Sequence, residues 1–335
     1  MRKEGVYMRK ILQILNTPQR GWHIRLFGLP IPILSIQSAA SRAYEHRFSG
    51  LTQKETRIIL ECQYFNHFGE LPDLEHPRKL QEKFTWEKIY YRNPKMHICA
   101  DKVRARDFFL QKAPSGSEKL LVRQLGVYES GDEICFEKLP ESFALKSNCG
   151  SGCQLLVRDK SKFSERKVRA LANSWMKESS NHYYDFLEWS YKDISPRIVC
   201  EELLEFEYKI EFFCFNGEPK FFWVVINDKT PDTKANFYKM DWTPIPVENH
   251  YPNFDDTIAK PAERDFKQMI EISRSIACEF PFVRCDFYKL ANGFRFSEMT
   301  FYHWGGTCGF TPPEYDYTFG DMLVLPKPDI EDPKC

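Results

Sequence analysis

The chain has no apolar run that approaches the ~18 to 20 residues of a membrane-spanning helix, so the sequence predicts no membrane span. The N-terminus lacks the apolar centre of a signal peptide, because Arg9 and Lys10 interrupt it. Neither sign of charge is in excess, since basic and acidic residues number 47 each among 335 residues. A balanced charge argues against nucleic acid as a partner and requires any basic site to be local. We therefore expect a cytoplasmic protein.

Several common site motifs are also absent. The 11 cysteines form no Cys-x-x-Cys pair and have no histidine partner at zinc spacing. This pattern predicts reduced thiols, most of them small core residues. The chain contains no GxxxxGK[ST] phosphate-binding loop. A zinc site and a P-loop nucleotide site are thus not expected.

The most informative stretch that is present covers residues 281–306. Two alternating runs, 282–290 and 294–301, flank Ala291, Asn292 and Gly293, which predicts an antiparallel hairpin with a three-residue loop. In that register Asp286 faces Glu298. A two-residue Asn-Gly loop would instead oppose Asp286 to Met299, so the register decides whether the two carboxylates meet.

Two carboxylates opposed on one sheet face repel each other unless a cation lies between them. Oxygen ligands without Cys or His suit Mg²⁺, or Mn²⁺, shared with substrate phosphates. Arg284, predicted to face Thr300, adds a fixed positive group for an anion. The alternative is a solvated hairpin face on which Arg284 pairs with a carboxylate.

A second stretch, FALKSNCGSGCQLLV at 143–157, predicts a strand, a glycine-rich turn and a returning strand. Glycines allow backbone N–H groups to approach phosphate oxygens closely, and Lys146 at the strand end adds a charge. The three turn residues concerned are Gly150, Ser151 and Gly152. On its own this pattern also suits an ordinary hairpin.

Together these motifs resemble the ATP-grasp superfamily. VRCDFY at 283–288, followed by FRFSEMTF at 294–301, is similar to its closing segment, and more closely to the TupA-like family of bacterial surface-polysaccharide biosynthesis. The resemblance extends from residue 77 to the C-terminus. It implies an α+β fold whose two lobes hold ATP between them. The implied domains are a mainly helical extension at 1–76, an N-terminal and central lobe at 77–200 and a C-terminal lobe at 201–335.

The resemblance also implies roles for individual residues. Lys102, Lys146 and the 150–152 turn would contact the nucleotide phosphates. The segment IVCEELL would form the hinge that contacts adenine, through Glu201, Glu202, Leu203 and Leu204. An acidic residue just beyond, Glu205 or Glu207, would hold the ribose, and Lys209 matches a lysine of the family.

The metal site that the resemblance implies consists of Asp286, Glu298 and Thr300. Many ATP-grasp enzymes have Asn where Thr300 stands, and a hydroxyl is a poorer metal ligand than an amide carbonyl. Whether the site holds one metal ion or two therefore remains open. Ser297 occupies a position where the family often has Gly.

The activity that the resemblance implies is that of an ATP-dependent ligase. A carboxylate is phosphorylated to an acyl phosphate, and an amine attacks it to give an amide. Arg284 would stabilise the oxyanion that develops on the acyl carbon. The expected substrates are a uronic acid of a surface glycan and an amino acid or amino alcohol. The rival hypotheses are a glycosyltransferase, for which an Asp-x-Asp motif is missing, and a non-catalytic protein that binds nucleotide or glycan.

The remaining segments carry structural predictions. Basic residues and the apolar stretch LFGLPIPILSI within 1–50 suit either a peripheral membrane-surface patch or an arm packed on its own domain. Helices are predicted after residues 77, 164 and 261, the second with Trp175 in the core. Residues 229–261 are polar and proline-rich, which predicts an irregular surface loop.

Overall fold

The computed structural model describes residues 12–17, 21–26, 29–31, 51–255 and 258–330. Its N-terminal part contains a three-stranded antiparallel sheet and then one helix. They are β1 (Leu12–Thr17), β2 (Gly21–Leu26), β3 (Leu29–Ile31) and α1 (Gln53–Phe68). The extension predicted as mainly helical therefore contains strands as well, in the segment where Pro30 is compatible with a sheet edge. The predicted membrane-surface patch lies outside the side chains that the structure describes.

Three helices follow the extension: α2 (Leu80–Tyr90), α3 (Lys95–Ala100) and α4 (Arg104–Lys112). The Glu82 carboxylate begins α2, because it accepts hydrogen bonds from the backbone N–H groups of Arg78 and Lys79 at 3.0 and 2.9 Å. The predicted helix after residue 77 is thus confirmed, and it ends before Pro94 as expected. Among the described helices, none is both long and apolar enough to cross a membrane.

The middle of the chain forms a four-stranded antiparallel sheet with one covering helix. Its elements are β4 (Gln124–Tyr128), β5 (Phe143–Ser147), β6 (Gln154–Val157), α5 (Glu165–Phe186) and β7 (Ile198–Glu201), with strand order β4-β7-β5-β6. Helix α5 packs on this sheet through Val168, Ala172 and Trp175. The predicted hairpin around the glycine-rich turn and the core position of Trp175 are both confirmed.

The C-terminal part forms a six-stranded antiparallel sheet, order β11-β10-β9-β8-β12-β13. Its elements, with the last two helices, are β8 (Tyr208–Phe215), β9 (Glu218–Ile226), β10 (Lys234–Lys239), β11 (Pro244–Ile245), α6 (Glu263–Ala277), β12 (Phe282–Lys289), β13 (Phe294–Thr300) and α7 (Glu314–Gly320).

Strands β10 and β11 correct the prediction of an irregular loop at 229–261. Ala235 and Phe237 are buried and pair with Val225 and Trp223 of β9. The alternation of buried and exposed residues in β10 is short and is surrounded by polar and proline residues. The composition of 229–261 therefore did not indicate a strand, which is stabilised by pairing with a distant part of the chain.

The six-stranded sheet has two chemically different faces because successive side chains alternate. One face, with Cys285 and Phe287, is apolar and packs beside α6, where the Cys285 thiol lies 4.0 Å from the Ser273 carbonyl oxygen. The opposite face carries Arg284, Asp286 and, on β8, Glu211. This polar face borders the site described below.

Two separate apolar cores support the two sheets. The larger core joins residues of α2 to α4 with the six-stranded sheet and α6, and the smaller core lies between α5 and the four-stranded sheet. The predicted lobe boundary at 200/201 remains a prediction. In packing terms, however, the segment 80–109 shares its core with the C-terminal sheet.

Candidate functional site

A cleft lies between the four-stranded and six-stranded sheets. Five basic and two acidic side chains line it, so positive charge dominates: Lys102, Arg106, Lys146, Lys209, Lys229, Glu201 and Glu298. One wall is apolar and is formed by Leu121, Val122, Tyr288 and Phe296. A cationic cleft with an apolar wall can accommodate a polyphosphate attached to a flat ring.

Lys146 lies near the end of β5, where its Nζ contacts the Glu201 carboxylate on β7 at 2.8 Å. Burial acts to lower the pKa of Lys146, but Tyr288 and Glu201 raise it above its usual range. The side chain therefore keeps its positive charge in the cleft. Arg106 approaches the same carboxylate at 4.0 Å.

The glycine-rich turn between β5 and β6 adopts a left-handed backbone at Gly150 and Gly152, with φ of 74° and 89°. Lys102 is bound to this turn, because its Nζ donates to the Gly150 carbonyl oxygen at 2.7 Å. Ser151, at the tip, is exposed. The structure thus brings together Lys102, Lys146 and the turn, the three groups predicted to contact phosphates.

The hairpin register opposes Asp286 to Glu298 and Arg284 to Thr300, as predicted. The predicted three-residue loop is wrong, however, because β12 ends at Lys289, which pairs with Phe294. The loop covers residues 290–293. A β-bulge compensates for the extra loop residue: Asp286 pairs with Glu298 but Phe287 pairs with Phe296, which leaves Ser297 as the additional residue.

Arg284 is the centre of a buried network on the polar sheet face. Its Nε and Nη2 donate to the two carboxylate oxygens of Asp286 at 2.8 and 2.6 Å, and its Nε lies 3.1 Å from Glu211 Oε2. Its Nη1 donates to His303 Nδ1 at 2.7 Å. Since arginine only donates, His303 carries its proton on Nε2, which donates to Asn249 Oδ1 at 2.9 Å. Burial and the Arg284 charge lower the pKa of His303 well below its usual range.

Glu298 differs from Asp286 in its environment. Burial acts to raise the pKa of Glu298, but Lys102, Lys209 and other cations outweigh it and lower the pKa to about 2. The Lys102 Nζ lies 3.6 Å from its carboxylate. Glu298 therefore presents an ionised carboxylate to the cleft.

The predicted metal site is matched in part. Within the described ranges, no group of three or more His, Cys, Asp and Glu side chains has an arrangement that would hold a metal. Magnesium commonly needs only one or two protein carboxylates beside substrate phosphates, and Glu298 fits that requirement. Both oxygens of Asp286 are occupied by Arg284, and the Thr300 hydroxyl lies 3.4 Å from Arg284 Nη2. Their roles as ligands remain predictions.

The predicted hinge residues are only partly at the cleft. Glu201 lines it, whereas the backbone N–H of Glu202 donates to the Arg123 carbonyl oxygen at 2.9 Å. Leu203 and Leu204 are half-buried and do not belong to the cleft lining. Their contact with adenine stays a prediction.

The two candidates for holding ribose are both exposed and lie outside the cleft lining. Glu207 pairs with Lys289 at 3.0 Å, and Glu205 lies 3.7 Å from Arg158. Lys209 does line the cleft and pairs with Asp228 at 2.7 Å. The structure therefore supports the position predicted for Lys209 and leaves the ribose contact unassigned.

Sequence reasoning missed Glu211, Tyr288 and Lys229. Lys209 and Glu211 are charged residues two positions apart in an otherwise apolar strand, which was a usable signal for a polar sheet face. Tyr288 is opposite Lys209 across β8 and β12. Lys229 gave no signal, because it belongs to a segment interpreted as an irregular loop.

Comparison with known proteins gave a family match and several structural similarities. The sequence model of the family described as TupA-like ATPgrasp matches residues 82–324. The search of curated proteins gave no match.

Solved structures similar to the chain include ATP-grasp ligase PsnB with a phosphomimetic variant of its minimal precursor, Mg and ADP. The two chains are 10% identical, the match covers 95% of this chain and 91% of PsnB, and the TM-score is 0.41. PsnB with its minimal precursor is similar at 10% identity over 66% of this chain, with a TM-score of 0.37. In that comparison the chain spans 60% of PsnB, less than two thirds of its length. D-alanine–D-alanine ligase from Bacillus anthracis is similar at 14% identity over 72% of this chain and 73% of that chain, with a TM-score of 0.38.

The family match covers well over half of the chain, including α2 to α4, both sheets and the cleft between them. It agrees with the α+β architecture of two sheets on either side of a basic cleft. The chain belongs to the TupA-like ATP-grasp family and has the ATP-grasp fold.

Proposed function

We propose that the chain is an ATP-dependent carboxylate-amine ligase that forms an amide through an acyl phosphate. The observation that supports this most directly is the convergence of Lys102, Lys146 and the ionised Glu298 in one cleft, with the glycine-rich turn bound to Lys102 beside it. Family membership supports the same class of reaction.

The basic side chains of the cleft neutralise and position the triphosphate of ATP. Lys146 and Arg106 approach from the side of Glu201, and Lys102 from beside the turn. Glu298 would hold Mg²⁺, or Mn²⁺, which when bound neutralises phosphate charge. The apolar wall with Tyr288 and Phe296 receives the base.

In the reaction, a carboxylate oxygen of the substrate bonds to the γ-phosphorus as the bond to the β-phosphate oxygen breaks, and ADP leaves. The amine nitrogen then attacks the acyl carbon, loses a proton and displaces inorganic phosphate. Arg284 is the candidate for stabilising the oxyanion on that carbon. Its anchoring by Asp286 and His303 holds the guanidinium in a fixed orientation.

The substrates we propose are a uronic acid of a capsular or other surface polysaccharide and an amino acid or amino alcohol. The support is the resemblance to a family associated with surface-polysaccharide biosynthesis. A cytoplasmic enzyme that contacts the inner face of the membrane fits this setting.

Two measurements test the proposal. ADP release is assayed with pairs of sugar acids and amines, and the products are identified by mass; we expect an amide product for at least one pair. In a thermal-shift series, MgATP should raise the melting temperature more than UDP-sugars, because a ligand selective for the native state stabilises it. Stabilisation by UDP-sugars and none by MgATP would favour a glycosyltransferase instead.

A further inference from the structure

Four aromatic rings form a cluster beside the Arg284 network, which we call the aromatic corner: Trp223, His250, Tyr251 and Trp304. The His250 and Trp304 ring centroids are 4.1 Å apart, those of Tyr251 and Trp304 5.6 Å, and those of Trp223 and Tyr251 5.9 Å. Trp304 directly follows His303, the residue that accepts a hydrogen bond from Arg284. The corner therefore adjoins the polar sheet face.

The backbone of the corner is held in an unusual conformation. Trp304 and His250 both have a left-handed backbone, with φ of 52° and 63°. Bulky residues rarely adopt it, and such strain persists where the surrounding structure imposes it, often at ligand sites. Asn249, next to His250, joins the two segments, because its Nδ2 donates to the Gly309 carbonyl oxygen at 2.8 Å and its Oδ1 accepts from His303. Two aromatic rings are thus fixed beside the Arg284 network.

Three buried polar atoms at this corner have no hydrogen-bond partner within the described part of the chain: Trp223 Nε1, Trp304 Nε1 and Glu211 Oε2. Glu211 is 4% exposed and pairs with Trp223 across β8 and β9. Its Oε2 is at ion-pair distance from Arg284 but makes no hydrogen bond. Buried polar atoms are nearly always hydrogen-bonded, so the two indole N–H donors point to a missing partner, whereas Glu211 Oε2 has its ion pair with Arg284.

The hydroxyl end of Tyr251 adds a fourth polar group. Burial raises the pKa of Tyr251, and the charges of Asp228 and Glu211 raise it further. The tyrosine is therefore within electrostatic range of both carboxylates, and His250, whose ring centroid lies 4.6 Å from that of Tyr251, is exposed. The corner combines ring surfaces that reach solvent with donors and acceptors at their edges.

We propose that the aromatic corner binds the pyranose ring of the sugar-acid substrate, an inference that rests on the proposed ligase function. A pyranose has an apolar C–H face that packs on aromatic rings, and hydroxyls that both donate and accept hydrogen bonds at its rim. A lipid chain would leave the polar atoms unpaired. A bare phosphate would use no ring surface. The polyhydroxylated ring is the ligand class that uses both features.

The test uses the full-length protein, with D-glucuronic acid and D-galacturonic acid as probes in saturation-transfer NMR. The variants are His250→Ala and Tyr251→Ala, and the matched controls are His76→Ala and Tyr317→Ala, since His76 is exposed and Tyr317 packs beside Arg78. We expect saturation transfer to at least one sugar acid in the wild type and in both controls. In the two corner variants it should fall at least about fivefold, while the thermal shift caused by MgATP is unchanged.

The outcomes separate this proposal from the ligase function. Sugar binding that is lost only in the corner variants supports the proposal, whether or not any amine gives ADP release. Absence of ADP release would count only against the ligase function. Saturation transfer that is equal in corner variants and controls overturns it, as does no transfer to either sugar acid in the wild type. Melting curves of each variant confirm that the protein is folded.

Discussion

The two sheets that border the cleft differ in how firmly they hold their charged groups. Every residue of β8 is buried, and Asp286 on the neighbouring strand is fully buried in contact with Arg284. In β6, by contrast, only Val157 is buried, and the adjoining turn is exposed at Ser151 and Gly152. The six-stranded sheet therefore holds its charged side chains in fixed positions. The four-stranded sheet ends in the lightly packed turn 150–152, which we call the flap.

Lysine side chains make polar contacts between the two sides of the cleft. Lys102 donates to the Gly150 carbonyl oxygen, and Lys229 Nζ donates to Gln154 Oε1 at 2.7 Å. Both lysines also line the cleft. Phosphates that enter it compete for the same cations, so nucleotide binding and the position of the flap are coupled through these two side chains.

The largest effect is expected when the positive charge of Lys146, on the four-stranded sheet, is removed. Lys146→Met removes the cation but keeps much of the stem, and it should lower ADP release by about a hundredfold or more, as for the loss of one strong electrostatic group. Lys167→Met, on the exposed face of α5, is the control and should retain activity. Equal ADP release by the two variants would mean that Lys146 makes no phosphate contact.

The fixed side of the cleft is tested by Asp286→Asn. This change removes the carboxylate that binds Arg284 through two hydrogen bonds and leaves Glu211 as its remaining buried carboxylate. It should lower the free energy of unfolding by about 3 kcal/mol, the lower end of the range for breaking a buried ion pair. Urea melts without metal provide the measurement.

Glu298→Gln is the variant to compare with Asp286→Asn, because Glu298 is half-buried and its carboxylate lies 3.6 Å from Lys102 Nζ. We expect a loss of about 1 kcal/mol or less without metal, together with loss of Mg²⁺-dependent ADP release. If Asp286→Asn melts like the wild type, Arg284 does not depend on that carboxylate.

The flap itself is tested by comparing two glycines that share a left-handed backbone. A Cβ at Gly150 would lie 2.7 Å from the His182 ring, whereas a Cβ at Gly152 would meet nothing within 4 Å. Both alanine variants incur the backbone cost of about 1 to 2 kcal/mol, and Gly150→Ala adds a steric clash. Gly150→Ala should thus have the lower melting temperature and the weaker MgATP binding. The reverse order would argue that the turn packs differently from the arrangement described.

The smallest expected effect concerns Lys229, whose Nζ contacts Gln154 on β6, next to the flap. Burial, followed by the charge of Lys209, lowers the pKa of Lys229 to about 8. Lys229 is charged below this pKa and neutral above it, so MgATP affinity should fall as the pH rises, by about tenfold at most between about pH 7 and about pH 9. Calorimetric titration at several pH values measures this fall. Lys229→Arg keeps its charge throughout and should bind with little pH dependence; an identical pH profile would assign the titration to another group.

Local sequence patterns predicted the features that depend on neighbouring residues. The alternation around 291–293 predicted one hairpin, the GSG motif predicted a turn between two strands, and the helical spacing predicted Trp175 in a core. These predictions succeeded because turn geometry and periodicity are encoded within a few residues. The facing pair Asp286 and Glu298 was predicted correctly although the loop is longer than expected, because a bulge at Ser297 restores the register.

What the sequence by itself determined is therefore the family, the two hairpins and the facing acidic pair. Tertiary structure alone decided that Arg284 is bound by Asp286 and His303, that Lys229 reaches Gln154, and that 234–239 completes a sheet. The physical reason is that these contacts join segments distant in the chain or choose among several possible partners. Their energies depend on burial and distance, which spacing along a sequence does not contain.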